Sequence, residues 1–427
     1  MTFKLKSGFA VGSTTVVDSN SYFQQTESSA SILPSLVLDF TSGSLDSRIT
    51  FSRSSNGTFI AANGLIQNAV SGAARFEYDP DTKAPKGLLM EEQRTNLIAY
   101  SANIAAWAGG GTSTLDPAIV DPTGANNSVY YNTVSERIIE FNGGGATTIA
   151  LSFFAKNRAG SGSTLTRIEI FQQIVAGNVH SLGVYDFNTA GANPDGTYVK
   201  NVTMATHPNG WYRFGCYLNA NTSLGSGNFT SSSRFDFEGG AYSNYTWGAQ
   251  VEVGYFPTNY IPTNGSTVTR SQDDAKINYP LLTSIINPEE GTIVTEFESK
   301  SPMTGVQAVA FNRYPVPFII NGFTTTNVLW YGSVAEMYID STYNNFGSVP
   351  AGLNKLAVAV ANGQSATSLN GNAVVSRSGT RLVKDLSYLG IGSANGSGVQ
   401  VFGGTIKNLT YYPKRLSNTT IINLTSN

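Results

Sequence analysis

The sequence predicts an all-β protein: two antiparallel β-sandwiches that follow a short N-terminal β segment. Three observations carry that expectation. Charged residues make up only 13% of the 427-residue chain against 41% hydrophobic, with 44 Gly and many Ser, Thr and Asn. Such a chain fills cores and covers its surface with neutral polar groups, where helical proteins carry more Glu and Lys. Short runs alternate apolar and polar residues at the two-residue period of a half-exposed strand. Clusters of Gly, Pro, Asn and Asp separate those runs, as turns between strands require.

Taken in order, residues 1–35 form a distinct start. Phe3-Lys4-Leu5-Lys6-Ser7-Gly8-Phe9-Ala10-Val11-Gly12 alternates, and Thr14-Thr15-Val16-Val17-Asp18-Ser19 is a second run. Strands this short cannot bury a face alone, so neighbouring chains are expected to complete them. Residues 20–34 are polar and end at Pro34, which suits a linker. Residues 36–92 read as a lead-in of short strands, including Leu36-Val37-Leu38-Asp39-Phe40 and Ala74-Arg75-Phe76-Glu77-Tyr78, broken at Asp79-Pro80-Asp81.

The first sandwich is expected over 93–274. Ile149-Ala150-Leu151-Ser152-Phe153-Phe154-Ala155-Lys156 is one strand, and Thr166-Arg167-Ile168-Glu169-Ile170-Phe171 and Arg234-Phe235-Asp236-Phe237-Glu238 alternate. Asn193-Pro194-Asp195-Gly196 is a turn signal. Residues 275–284 read as a boundary, and the second sandwich is expected over 285–427. There Leu356-Ala357-Val358-Ala359-Val360 is a strand, and Ser368-Leu369-Asn370-Gly371-Asn372 carries a hairpin signal.

Several function classes are disfavoured. Net charge is −2 with no basic stripe, so a nucleic-acid partner has no electrostatic footprint. No stretch approaches the ~18 apolar residues of a membrane span. The first residues contain no apolar run, so no secretory signal is expected. Cys216 is the sole cysteine, which excludes an intrachain disulfide; its alternation with Phe214 and Leu218 makes it a buried apolar residue. There is no Gly-x-Ser-x-Gly elbow and no phosphate loop. With only His180 and His207, a zinc site is not expected, and His207 before Pro208-Asn209-Gly210 reads as a surface turn. Carboxylates two apart on a strand, Asp236 with Glu238 or Glu296 with Glu298, would lie ~7 Å apart and could serve a glycosidase. A solvated strand face explains them as well, so no catalytic residue is assigned.

One series of motifs adds a family resemblance. Gln93-Arg94-Thr95-Asn96-Leu97-Ile98, Trp107, Gly210-Trp211-Tyr212-Arg213, Trp247-Gly248-Ala249-Gln250-Val251-Glu252-Val253-Gly254, Tyr260-Ile261-Pro262-Thr263 and Thr269-Arg270 follow in that order. The series resembles the carbohydrate-binding-module-like jelly roll of bacteriophage fibre, spike and minor head or tail proteins. Residues 1–35 resemble the hairpin units that open many phage fibres, and 36–92 the lead-in before that jelly roll. Phe402-Gly403-Gly404-Thr405-Ile406-Lys407-Asn408-Leu409-Thr410-Tyr411-Tyr412, before Arg415-Leu416-Ser417, resembles the last strand of concanavalin A-like and laminin-G-like sandwiches.

The resemblance implies two jelly-roll sandwiches in a virion protein exposed on the particle surface. It implies a homotrimer joined to other virion proteins through residues 1–35, and a host-surface glycan as ligand. A glycan depolymerase on the concanavalin A-like domain and a decoration protein with no ligand are the alternatives. No cofactor is expected. The resemblance leaves room for a structural calcium; Asp186-Phe187-Asn188 and Asp79-Pro80-Asp81 offer oxygen ligands without completing the calcium-loop pattern.

Sugar sites use aromatic rings as platforms and amides or carboxylates for the hydroxyls. Trp211 and Trp247 read as core. Trp107 beside Gly109-Gly110-Gly111, and Trp330-Tyr331 before Gly332, could be exposed platforms or core. Tyr242, Asn244 and Tyr245 lie in a Gly/Ser/Asn-rich bend of the kind that carries binding groups, and form the preferred cluster.

Overall fold

The computed structural model describes residues 32–109, 112–126, 129–131, 137–159, 199–220, 228–229, 233–237, 244–300, 349–361, 363–378, 386–392 and 402–426 in full. For 25–27, 30–31, 132, 165–173, 178–186, 318–322, 330–332, 336–339 and 342–345 it describes the backbone alone. The protein is all-β: strands hold 51% of the residues, about twice the share of an average soluble domain. The chain divides into two compact units, Ser52–Asp273 and a second made of Met1–Phe51 with Asp274–Asn427. The strands expected over 3–19 lie outside the described residues, as does the turn at Asn193-Pro194-Asp195-Gly196. Residues 25–32, read from their polarity as linker, pair as a hairpin of Gln25–Glu27 with Ala30–Ile32.

In the Ser52–Asp273 unit an antiparallel six-stranded sheet runs Ser113–Leu115, Tyr130–Asn132, Tyr245–Val253, Thr148–Lys156, Trp211–Asn219, Val199–His207. A four-stranded sheet runs Arg137–Phe141, Ser233–Phe237, Leu165–Gln173, Asn178–Asp186. The inner core takes Ile149, Leu151 and Phe153 from one strand, Phe214, Cys216 and Leu218 from its neighbour, and Phe235 and Phe237 from the other sheet. Each follows the two-residue period of its strand. Fully burying one such Phe or Leu contributes roughly 1.5–3 kcal/mol.

The other face of the six-stranded sheet is also covered. Phe154, Trp211, Tyr245 and Trp247 pack there with Ile60 and Ile66, which belong to the hairpin Gly57–Ile60/Ile66–Ala69. That roof explains why Thr148–Lys156 is buried on both faces until its last residue, and why its sequence runs apolar rather than alternating.

Buried charge locks the roof in place. Arg75 is fully buried and bonds Glu91 Oε2 at 2.8 Å and Asp273 Oδ2 at 2.6 Å. Asp273 Oδ1 takes Arg53 at 3.1 Å, and Arg270 reaches the Glu92 carbonyl at 2.8 Å and Glu91 Oε2 at 3.5 Å. Glu77 accepts from the Ile60 amide at 3.0 Å and from the Asn259 side chain at 2.9 Å. Burial would lower the Arg75 guanidinium, yet Asp273 and Glu91 overrule it and hold it above the ordinary arginine value.

The motif residues prove to be joints of this framework. The Asn96 amide donates to the carbonyls of Ala249 (3.2 Å) and Ile261 (2.9 Å) and accepts from the amides of Ile98 (3.1 Å) and Val251 (3.2 Å). Gln250 Oε1 accepts the Ile261 amide at 2.6 Å, and Glu252 Oε2 accepts the Thr258 amide at 2.8 Å. Gly248 sits at φ +64° beside the register shift between Ser152 and Phe154, so it forms the bulge of its strand. Gly254, at φ +149°, leaves the space in which the Arg94 guanidinium reaches the Val253 carbonyl.

In the other unit an antiparallel sheet runs Val375–Ser378, Gln364–Leu369, Gly352–Ala361, Glu290–Ser299, Gly404–Tyr412, Leu36–Asp39. A second sheet holds Phe318–Gly322, Leu386–Ile391 and Asp274–Asn278. The hairpin signal at 368–372 is a tight turn with Asn370 and Gly371 both at positive φ. The helix Asn418–Thr425 was not legible in its β-branched sequence. It lies on the alanine side of the sheet, where Ala357, Ala359 and Ala366 let Ile421 and Leu424 approach, and Ser417 caps it through the Thr420 amide at 3.1 Å.

Arg75→Met should lower the unfolding free energy by about 3–5 kcal/mol, because it leaves buried Asp273 with Arg53 alone and buried Glu91 with the more distant Arg270. Asp273→Asn should cost a comparable amount, and the double variant less than the sum. Denaturant unfolding followed by tryptophan fluorescence measures this; a loss under about 1 kcal/mol for either variant would contradict the role given to the network.

Candidate functional site

Of the sequence-predicted site residues, the structure describes Trp107, Asn244 and Tyr245 in full. Trp107 is a correction. Its ring is 3% exposed, stacks on Phe237 at 5.3 Å and meets Phe235 edge-on, while its indole N–H donates to the Tyr100 carbonyl at 2.8 Å. A ring so placed offers no face to a sugar. Trp211 and Trp247 lie in the outer core as read. Tyr242 lies outside the described residues. Trp330 and Tyr331 lie on the strand Trp330–Gly332, and their side chains are outside the description.

Asn244 and Tyr245 are buried, yet they belong to a connected group at one end of the six-stranded sheet. The Tyr245 hydroxyl donates to Asp116 Oδ2 at 2.6 Å, and Asp116 Oδ1 accepts the Ala118 amide at 3.0 Å. The rings of Tyr245 and Tyr131 meet edge-on at 5.8 Å. The Arg158 guanidinium lies 4.3 Å from the centre of the Tyr131 ring, and the Arg158 amide donates to Asn244 Oδ1 at 3.0 Å. Lys156 pairs in register with Tyr245 on one side and Trp211 on the other. Tyr131, Asp116, Lys156 and Arg158 are all partly exposed.

Burial, then the bond to Asp116, pushes the Tyr245 phenol up to about 12, so it stays a proton donor. The group therefore combines a half-exposed ring with a phenol, a carboxylate, an amide and two cations, which is the chemistry that recognises a hydroxylated ring. Sequence reasoning missed Asp116, Tyr131, Lys156 and Arg158. The signal was present in the Tyr130-Tyr131 doublet and in a lysine closing an otherwise apolar strand.

Asp236, the first carboxylate considered for catalysis, is fully buried and pairs with Arg234 at 2.9 Å rather than lining a solvated face. Glu238 lies outside the described residues. Glu296 is partly exposed and pairs with Lys407 at 3.1 Å. Among the described residues no three His, Cys, Asp or Glu side chains come together as a metal site. Asp79 is occupied with its own turn, accepting from the amides of Asp81 (3.0 Å) and Thr82 (2.9 Å). Phe187-Asn188 and the side chain of Asp186 are outside the description.

His207 also differs from expectation. Pro208–Gly210 does turn, but His207 still closes its strand opposite Trp211 on the roofed face. It is 4% exposed, with its ring edge-on to Phe154 at 5.1 Å.

No family model matches the chain, and no curated protein matches it significantly. Among solved structures it is similar to domain 4 of a GH43 extracellular arabinanase from Geobacillus stearothermophilus, at 17% identity over 36% of this chain and 73% of that one, with a TM-score of 0.25. It is similar to a Trypanosoma rangeli sialidase mutant displaying trans-sialidase activity, at 14% identity over 35% of this chain and 25% of that one, with a TM-score of 0.25. It is similar to domains LG4-5 of the mouse laminin alpha1 chain, at 10% identity over 67% of this chain and 88% of that one, with a TM-score of 0.21. Scores this low carry no inference about activity, and the all-β class rests on the strands themselves.

Burial, reinforced by Arg213, pushes His207 down to about 3 from an ordinary value near 6.5. The fold holds it neutral, while the unfolded chain takes up a proton below about pH 6.5. Its contribution is therefore complete above that pH and is lost as pH falls towards 3, with about 2 kcal/mol gone by pH 5. His207→Phe removes this titration, so the wild type should lose about 2 kcal/mol more than the variant between pH 7 and pH 5. Equal losses in denaturant titrations at the two pH values would contradict it.

Proposed function

We propose that the protein is a bacteriophage virion appendage, a fibre or spike subunit exposed on the particle, that binds a host-surface saccharide without cleaving it. The Asp116–Tyr245–Tyr131–Arg158 group is the observation that carries the binding. It sets a partly exposed ring beside fixed hydrogen-bonding groups at the end of a rigid sheet. The virion assignment rests on the ordered jelly-roll motifs between Gln93 and Arg270. In this reading the subunit is a homotrimer, and residues 1–35 join it to another virion protein. One ring platform binds weakly, and repeated copies raise avidity without new contacts.

Glycan arrays with the full chain, followed by titration of the best ligand, test this. Tyr131→Ala should weaken binding about tenfold, measured at a temperature where the variant is shown to be folded, since aromatic contacts of this kind contribute on the order of 1 kcal/mol. Release of oligosaccharide from the ligand would favour the depolymerase. Absence of binding with normal incorporation into particles would favour a purely structural role.

A further inference from the structure

Lys156 is the charge at this edge that the fold does not explain. Partly exposed Lys276 and Lys407 and exposed Lys414 each sit 2.8–3.1 Å from a carboxylate, Lys86 sits 3.9 Å from Asp79, and Lys83 and Lys355 donate to backbone carbonyls. Lys156 closes the strand Thr148–Lys156 between Tyr245 and Trp211, and among the described residues it makes no hydrogen bond or ion pair. It is half-buried, and that burial lowers its ammonium pKa while Asp116 pulls it back up. Withdrawing an ammonium from water without a hydrogen-bonded partner costs free energy that an incoming anion would offset.

The surrounding charge has the same sign. Two residues along, Arg158 places a second cation over Tyr131. Among the described residues of this group the carboxylate is Asp116, and both of its oxygens already accept hydrogen bonds, from Ala118 and Tyr245. The edge is thus locally positive on a chain whose net charge is −2.

We propose that the saccharide held at this edge is anionic, a sugar bearing a carboxylate or a sulfate, with Lys156 as its counter-ion and the partly exposed Tyr131 ring as the wall for the sugar ring. This deepens, and rests on, the saccharide reading of the same edge. An ammonium is a point charge without the fork geometry that selects a carboxylate, so either anionic group satisfies it.

The test is calorimetric titration of the full chain with three oligosaccharides of matched length: neutral, uronate-containing and sulfated. An anionic member should bind at least about tenfold more tightly than the neutral one, and should weaken by about tenfold or more between about 20 mM and about 500 mM salt. Lys156→Gln, with its unfolding midpoint checked, should remove that preference, and Lys156→Arg should restore most of it. The uronate and sulfate arms identify which anion is taken. Neutral and anionic sugars bound equally, or an anionic sugar whose affinity ignores both salt and Lys156→Gln, would overturn the charge inference and leave the saccharide reading standing. Binding of no saccharide would remove both.

Discussion

A guanidinium shut off from water must find its counter-charges inside the protein, and Arg75 finds them in Glu91 and Asp273. Those partners are 16 and 198 residues away along the chain. The pairing therefore ties the early strands of the Ser52–Asp273 unit to its last residue. Five arginines (Arg53, Arg75, Arg94, Arg213 and Arg270) stand among five carboxylates (Glu77, Glu91, Glu92, Glu252 and Asp273) in or beside this network. That is ten of a modest complement of 26 basic and 28 acidic residues. An ionic interior does not maximise stability, because desolvation offsets most of the attraction. Its effect here is geometric: the hairpin that carries Ile60 and Ile66 is held over the outer face of the sheet.

The edge proposed to bind saccharide follows from that geometry. With the roof in place, Phe154, Trp211 and Trp247 are core, and the aromatic surface left partly open at that end of the sheet includes Tyr131. The Asp116 carboxylate orients the Tyr245 phenol, and Arg158 rests on the Tyr131 ring, so the edge is ordered before any ligand arrives. A site built in this way loses little entropy on binding. Lys156 makes no hydrogen bond or ion pair among the described residues, which is the basis for the anionic ligand proposed at this edge.

The all-β class and many of the strands were legible because the two-residue period reports burial directly. So was the Asn370-Gly371 turn, where both residues take positive φ. The motifs of the jelly roll were visible as letters, but their purpose was not. Asn96, Gln250 and Gly254 serve the backbone of distant segments, and nothing local announces that. Trp107 looked open because glycines follow it, yet its ring packs on Phe237, 130 residues later. The buried network was invisible for the same reason: each Arg and Glu reads alone as a solvated side chain. The helix Asn418–Thr425 has weak intrinsic propensity and exists because an alanine-lined sheet receives it.

The central claim is that residues 52–92 are part of the sandwich and not a detachable lead-in. Its most direct measurement compares two fragments, 52–273 and 93–273, by heteronuclear NMR and by thermal unfolding. The account predicts a dispersed spectrum and one cooperative transition for 52–273. It predicts collapse or aggregation for 93–273, which would expose Trp211 and Trp247 and remove the ionic partners of Asp273 and Arg270. A shorter fragment that folds with the same dispersion and the same midpoint would contradict it.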